Sequence, residues 1–324
     1  MPLFSPIRRR LAQALALSSL LFSALAQAQT PTIKLMVGFP PGGGTDAIAR
    51  LLADRLKEPL GANVIVENKA GAGGQLAAQA LKAAPADGSV LFLSHDHTIS
   101  ILPLVVKNPG YSTAQDFTPV AGFATFVNAL AVSGGTPAKS LNDYVAWVKS
   151  KGKDTVGVPA PASVPEFLVK VIGDKYKLDL AAAPYRGSAP MMADMLGNQI
   201  ASGVASVPDF IENHKAGKIR MVAVIGDKRQ AILPDVPTFA ELGLTGFEDL
   251  PYYGIFAPAG TPRAVIDRTS DAVAKVIAQP DVKAQLTAMG LTVGHMTPQQ
   301  LGAREKAYTA TWTRIIKASG FQAQ

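Results

Sequence analysis

Ile33-Lys34-Leu35-Met36-Val37-Gly38-Phe39-Pro40-Pro41-Gly42-Gly43-Gly44-Thr45-Asp46 decides the reading of this chain. The apolar run 33–39 has the length of a buried strand. Two prolines and three glycines break it. An amphipathic stretch, Asp46–Leu60, follows and ends at Gly61, a residue suited to a helix C-terminus. Strand, glycine loop and helix in that order place backbone N–H groups at a helix N-terminus, where they and the helix dipole attract anions, carboxylates included. Thr45 offers a hydroxyl to the same place. Asp46 is expected to cap its own helix and not to touch a ligand.

The unit then repeats. Asn63–Asn68 is a Val/Ile-rich strand, Gly71-Ala72-Gly73-Gly74 a second glycine loop, and Gln75–Ala84 a helix. A Pro85-Ala86-Asp87-Gly88 turn leads into the strand Ser89–Ser94. Further on, residues 155–158, 200–205, 221–225 and 252–257 read as strands. Residues 141–149, 163–175 and 189–196 read as helices, and so do 262–278, 281–289 and 298–319. Strands separated by helices indicate an α/β chain with mostly parallel sheets. Two glycine loops and a short Ser94-His95 loop, each after a strand, indicate a cleft at the carboxyl ends of those strands. The Pro-rich stretch Leu233-Pro234-Asp235-Val236-Pro237 reads as a crossing segment.

Arg8-Arg9-Arg10, the uncharged apolar run Leu11–Leu25 and the small-x-small site Ala26-Gln27-Ala28 follow the plan of a cleaved secretory signal peptide, residues 1–28. The run falls short of the ~20 residues that span a bilayer. The expected destination is the periplasm. The arginine run matches a twin-arginine signal only in part and leaves the export route open. Loss of three arginines would lower the net charge from +7 to +4. The remaining Lys and Arg form no block of the kind that binds nucleic acid, whereas a mild positive balance suits anions. No cysteine is present, which removes disulfides, thiolate nucleophiles and Cys-ligated metals.

Catalytic templates are missing. There is no G-x-S-x-G elbow and no H-E-x-x-H. Gly42-Gly43-Gly44-Thr45 lacks the lysine and spacing of a phosphate loop. Gly71-Ala72-Gly73 has Leu76 where a dinucleotide fingerprint needs a small residue. His95-Asp96-His97 is the one cluster with catalytic or metal-binding potential, but neighbours on an extended chain alternate sides, which disfavours a metal. A periplasmic enzyme using His95 and Asp96 is therefore a rival reading without a motif for its nucleophile. The expectation is a binding protein with no cofactor, no metal and no catalytic residue.

The motifs also carry a family likeness. The first glycine segment with Ala49-Arg50 resembles the Bug receptors, the solute-binding proteins of tripartite tricarboxylate transporters. So do Val66-Glu67-Asn68, Gly71-Ala72-Gly73-Gly74, Pro85-Ala86-Asp87-Gly88 and Asp116-Phe117-Thr118-Pro119-Val120. Pro184-Tyr185-Arg186-Gly187, Gly217-Lys218-Ile219-Arg220, Leu233–Thr238 and Ala257–Pro262 continue the series in family order. The resemblance implies a type II periplasmic-binding-protein fold. It has two α/β lobes, 29–126 with 238–324 and 127–237, that close on a carboxylate held partly through ordered water. Membrane permease subunits of the transporter are the implied partner, and a monomer is expected. Carried onto this chain, the contacts are Pro41, Gly42, Gly43, Thr45, Ser94 and His95 from the first lobe. From the second they are Asn128, Ala160, Ser163, Tyr185, Arg186, Gly187 and Ser206. Arg186 is placed either against a carboxylate or in a structural Tyr-Arg-Gly turn.

Two departures bear on the ligand. The loop Val158-Pro159-Ala160-Pro161-Ala162-Ser163, followed by Glu166-Phe167, replaces a Ser/Gly-rich loop ending in His-Leu. Ala205 stands where the family often has an acid that binds ammonium, which argues against an amino-acid ligand. An apolar wall with few polar anchors suits a flat hydrophobic body, and His95 and Asn128 add side-chain donors. An aromatic dicarboxylate such as terephthalate is the leading expectation, with citrate or a C4 dicarboxylate as the alternative. A sensor subunit that presents its ligand to a signalling protein would share the fold and site.

Overall fold

The strands between Thr32 and Met296 fall into two mixed sheets. The structure, a computed structural model, describes residues 30–245 and 249–323, and the signal-peptide reading of residues 1–28 lies outside them. The first sheet has the order β11-β4-β10-β3-β1-β2. It is built from β1 (Thr32–Val37), β2 (Asn63–Asn68), β3 (Val90–His95), β4 (Phe117–Thr125), β10 (Tyr252–Pro258) and β11 (Thr292–Met296). The second has the order β7-β6-β8-β5-β9. Its strands are β5 (Asn128–Ser133), β6 (Asp154–Val158), β7 (Leu180–Pro184), β8 (Ser202–Ser206) and β9 (Ile219–Val224). The chain passes from one sheet to the other through Phe126-Val127 and returns between Val224 and Tyr252.

The α/β class and two lobes are as expected, but the sheets are less parallel than expected. β1 pairs in parallel with β2 and β3, and β6 with β7 and β8. The pairings of β10 with β3 and β4, of β11 with β4, and of β5 with β8 and β9 are antiparallel. The cause is topological. β5 and β10 are the strands by which the chain enters one sheet and re-enters the other, and each inserts against the direction set by the βαβ units.

Strands β4, β5, β7 and β11 carry weak local signals. β7 reads Leu-Ala-Ala-Ala-Pro, a composition poor in β-formers that only its parallel partner β6 makes extended. β4 contains Pro119, which removes a ladder donor; a register shift beside it absorbs the defect.

Helices cover both faces of each sheet. α1 (Gly44–Leu60) buries Ile48, Leu52 and Leu56 at helical spacing against Leu35, Phe123, Ile255 and the later helix α7 (Arg263–Ala278). On the opposite face, Met36, Phe92 and Tyr252 join one continuous core with Val156, Tyr144 and Leu168 of the second sheet's layer. α9 (Pro298–Ala318) completes that join: Trp312 lies 5.8 Å from Phe167 of α4 (Val164–Tyr176), ring centroid to ring centroid.

Candidate functional site

The cleft lies where β1, β3, β6 and β8 end. A cavity of about 560 Å³ is walled there by Phe39, Gly43, Thr45, His95, Asp96, His97, Phe126 and Tyr253. The second sheet's side supplies Asn128, Pro159, Ala160, Ser163, Val164, Pro165, Ser188, Ser206 and Asp209. Asn128 and Ser206 share the floor because they pair in register across β5 and β8. Tyr253 and His95 do so across β10 and β3.

The first glycine loop is held open by Asp46. Its carboxylate accepts the Gly42 N–H at 3.0 Å, the Arg50 Nε–H at 2.9 Å and the Asn68 side-chain amide at 2.9 Å. Burial raises the pKa of this carboxyl, but those donors outweigh it and hold the group below the usual carboxylate range. Asp46 thus reaches back from the first turn of α1 to brace the loop, while the N-cap position is Gly43. Thr45 is not a free hydroxyl: its Oγ1 lies 3.1 Å from the Tyr253 hydroxyl. Burial, with Asp209 nearby, pushes the Tyr253 pKa well up, so Tyr253 is a neutral hydrogen-bonding group at physiological pH.

His95 is chiefly a flat wall. Its ring stacks on Phe39 at 5.0 Å and meets Tyr253 at 5.5 Å and Phe126 at 6.0 Å, both edge-on. Nδ1 lies 3.3 Å from Asp96 Oδ1. The His97 backbone N–H donates to the same Nδ1 at 3.4 Å. The Asp96 carboxylate also accepts from Tyr308 at 2.9 Å, in a buried setting. His97 begins a π-helical turn, His97–Ile101, and is buried with neither ring nitrogen hydrogen-bonded. Among the described residues no His/Cys/Asp/Glu group is arranged to hold a metal.

The structure divides the sequence-derived contacts. Gly43, Thr45, His95, Asn128, Ala160, Ser163 and Ser206 line the one cavity. Asn128 is a buried polar residue of that lining. Ser163 Oγ donates to the Ala160 carbonyl at 2.7 Å. Pro41 and Gly42 face solvent beside the mouth. Ser94 Oγ is buried behind the wall without a partner. Tyr185 turns away and donates to Asp194 at 2.7 Å. Arg186 is exposed and borders an outer depression with Pro40, Ala70 and Leu76, so it does not reach the cavity. Gly187 packs on Pro40: at φ +104°, a Cβ there would stand 2.6 Å from the proline ring. In the Tyr-Arg-Gly turn, the Gly187 N–H donates to the Pro159 carbonyl at 2.8 Å.

Sequence reasoning missed Phe39, Phe126 and Tyr253, and most of all Asp209. An acid nevertheless stands on this wall at another position. Ala205 is buried in β8 opposite Ala129, but Asp209, one turn further on, lines the cavity. The signal was present as Ser206-Val207-Pro208-Asp209, a helix-start pattern directly after a strand that ends at the cleft. Among the described residues no Lys or Arg lines this cavity.

Comparison with known proteins gives the site a setting. Residues 48–321 match the tripartite tricarboxylate transporter family receptor model. A protein encoded in the tcbD-tcbE intergenic region of Pseudomonas sp. strain P51 is 31% identical over 95% of this chain and 94% of its own. The periplasmic binding protein BugD is 29% identical with a TM-score of 0.86, over 90% of this chain and 99% of that one. Rpa4515 of R. palustris, solved with adipate, is 30% identical with a TM-score of 0.85, over 91% and 99%. MatC of Rhodopseudomonas palustris, solved with malate, is 28% identical with a TM-score of 0.80, over 88% and 98%. These neighbours are solute-binding receptors and not enzymes, and small carboxylates are what the ligand-bound ones hold. With a matching family model over most of its length and the fold of the solved periplasmic binding proteins, the chain belongs to the tripartite tricarboxylate transporter receptors, the Bug-type periplasmic solute-binding proteins.

Proposed function

We propose that this receptor captures an aromatic carboxylate in the periplasm and delivers it, by lobe closure, to the membrane permease of a tripartite tricarboxylate-type transporter. The observation that carries the aromatic part is the box of Phe39, His95, Phe126 and Tyr253, faced by Pro159, Ala160 and Pro165. Stacked and edge-on rings offer a planar body the geometry that aromatic pairs prefer. The α1 amides and the Asn128 side chain supply neutral donors for the carboxylate. Terephthalate remains the leading dicarboxylate, with benzoate as the simplest member of the class. Its second carboxylate would enter a cavity lined by Asp96 and Asp209 and, among the described residues, by no Lys or Arg, so a monocarboxylate fits the electrostatics better.

The alternative is an aliphatic dicarboxylate, in keeping with the adipate and malate held by its structural neighbours. Calorimetric titration with terephthalate, benzoate, adipate, malate and citrate decides between them. Heat of binding with an aromatic acid, and at least tenfold weaker binding of the aliphatic ones, is expected. Binding of adipate, malate or citrate with no aromatic response would sink the aromatic reading.

A further inference from the structure

Asp209 joins the two lobes. It sits in the first turn of α6 (Val207–Lys215), on the second sheet's side. Its Oδ1 accepts the Gly44 N–H of α1, across the cleft, at 2.9 Å. Ser188 Oγ donates to the same oxygen at 2.5 Å, and Ser206 Oγ to Oδ2 at 2.6 Å. The contact is close enough to need glycine on the other side. A Cβ on Gly44 would stand 3.0 Å from both Asp209 Oδ1 and Pro208, and one on Gly43 would stand 2.8 Å from Ser188 Oγ.

The Gly44 amide is one of the N-terminal donors of a seventeen-residue helix, the kind of group that attracts a carboxylate. Here a carboxylate of the protein itself has taken it. We propose that Asp209 is a tethered stand-in for the ligand's carboxylate, a latch that draws the lobes together and that an arriving carboxylate must displace from Gly44. Ser188 and Ser206 come from the same side as Asp209, so they retain the displaced side chain and keep its charge hydrogen-bonded. A charge-assisted bond must be broken before the ligand makes its own. The latch therefore lowers apparent affinity by holding much of the receptor in a form that does not accept ligand.

This inference rests on the receptor reading, and its test separates the two. Small-angle scattering of unliganded wild type, Asp209→Ala and Gly44→Ala comes first, with thermal melts to confirm folding. Both variants should have a larger radius of gyration than wild type. Calorimetry with benzoate, terephthalate and adipate comes second. Asp209→Ala should bind whichever of these the wild type binds, and at least about threefold tighter. Asp209→Asn, which keeps a neutral acceptor for Gly44, should fall between. An unchanged radius of gyration in Asp209→Ala, or equal or weaker binding, overturns the latch. If no carboxylate binds either protein, the receptor reading fails, and the scattering of the unliganded forms still decides whether Asp209 holds the lobes together.

Discussion

At the scale of single residues, His97 makes the molecule sensitive to mild acid. Burial, with help from the neighbouring His95, pushes its pKa down to about 4, against an opposing pull from Asp96. An unfolded histidine titrates near ~6.5. Between those values the unfolded chain binds a proton that the folded chain refuses, so stability falls as pH drops through that window and is flat above it. The full loss is about 3 kcal/mol. His97→Leu should reduce this slope, of which His214, its pKa also lowered by burial, keeps a share, and be more stable than wild type at pH 5, because the two buried nitrogens of His97 lack partners. Urea midpoints at pH 5 and 7.5 check it; equal slopes in both proteins would refute the assignment. Carboxylates such as Asp46 are held low and act at more acid pH, in both proteins alike. The same scale shows where sequence stops being legible. Arg186 and Asp209 both sit next to helix starts, and nothing local tells which one turns inward. The direction is set by a backbone bond from Gly187 in one case and by a partner in the other lobe in the other.

At the scale of elements, the order of the β1–α1 unit was legible, although the helix starts at Gly44 with Gly43 as its N-cap and not at Asp46. An apolar run, a breaker and an amphipathic helix each follow from local chemistry, and the helix ends at Gly61 in the left-handed conformation as its sequence implies. What was not legible is the brace beneath the loop, because Asn68 comes from β2 and Tyr253 from the far end of the chain. Asp46→Ala removes three hydrogen bonds at once from a buried acceptor. It should destabilise the protein by about 1–3 kcal/mol and weaken carboxylate binding by loosening Gly42–Gly44. Denaturant unfolding and calorimetry on the same sample test both parts. Full affinity in a folded Asp46→Ala protein would mean the loop does not hold the ligand. Elements such as β7 and β11 stayed hidden for a related reason: their residues are extended only because a neighbouring strand pairs with them.

At the scale of the whole molecule, the two lobes share a core. Tyr308 of α9 packs on Tyr252 at 5.7 Å and Trp312 on Phe167, so the helix that closes the chain seals both layers together. The proposed closure has to bend around this packed, apolar join, which leaves the cleft side, where Gly43 and Gly44 meet Ser188 and Asp209, as the surface that can part. The α/β class and the position of the cleft follow from sequence because they depend on element order. The character of the cavity does not, because it depends on which strand-end side chains face each other across the gap. That character has a solution consequence. The proposed carboxylate site, with amides, hydroxyls and an uncharged amide side chain as its donors and no Lys or Arg among its described lining, has no ion pair for dissolved salt to screen. Asp96 and Asp209 do line it, and salt weakens their repulsion of an anion, so the dissociation constant for its carboxylate should hold or fall as sodium chloride rises from roughly 0.05 to 0.5 M, a range over which the screening length shortens severalfold. Titration across that range of ionic strength measures it, and a steep loss of affinity would reveal a cation at the site.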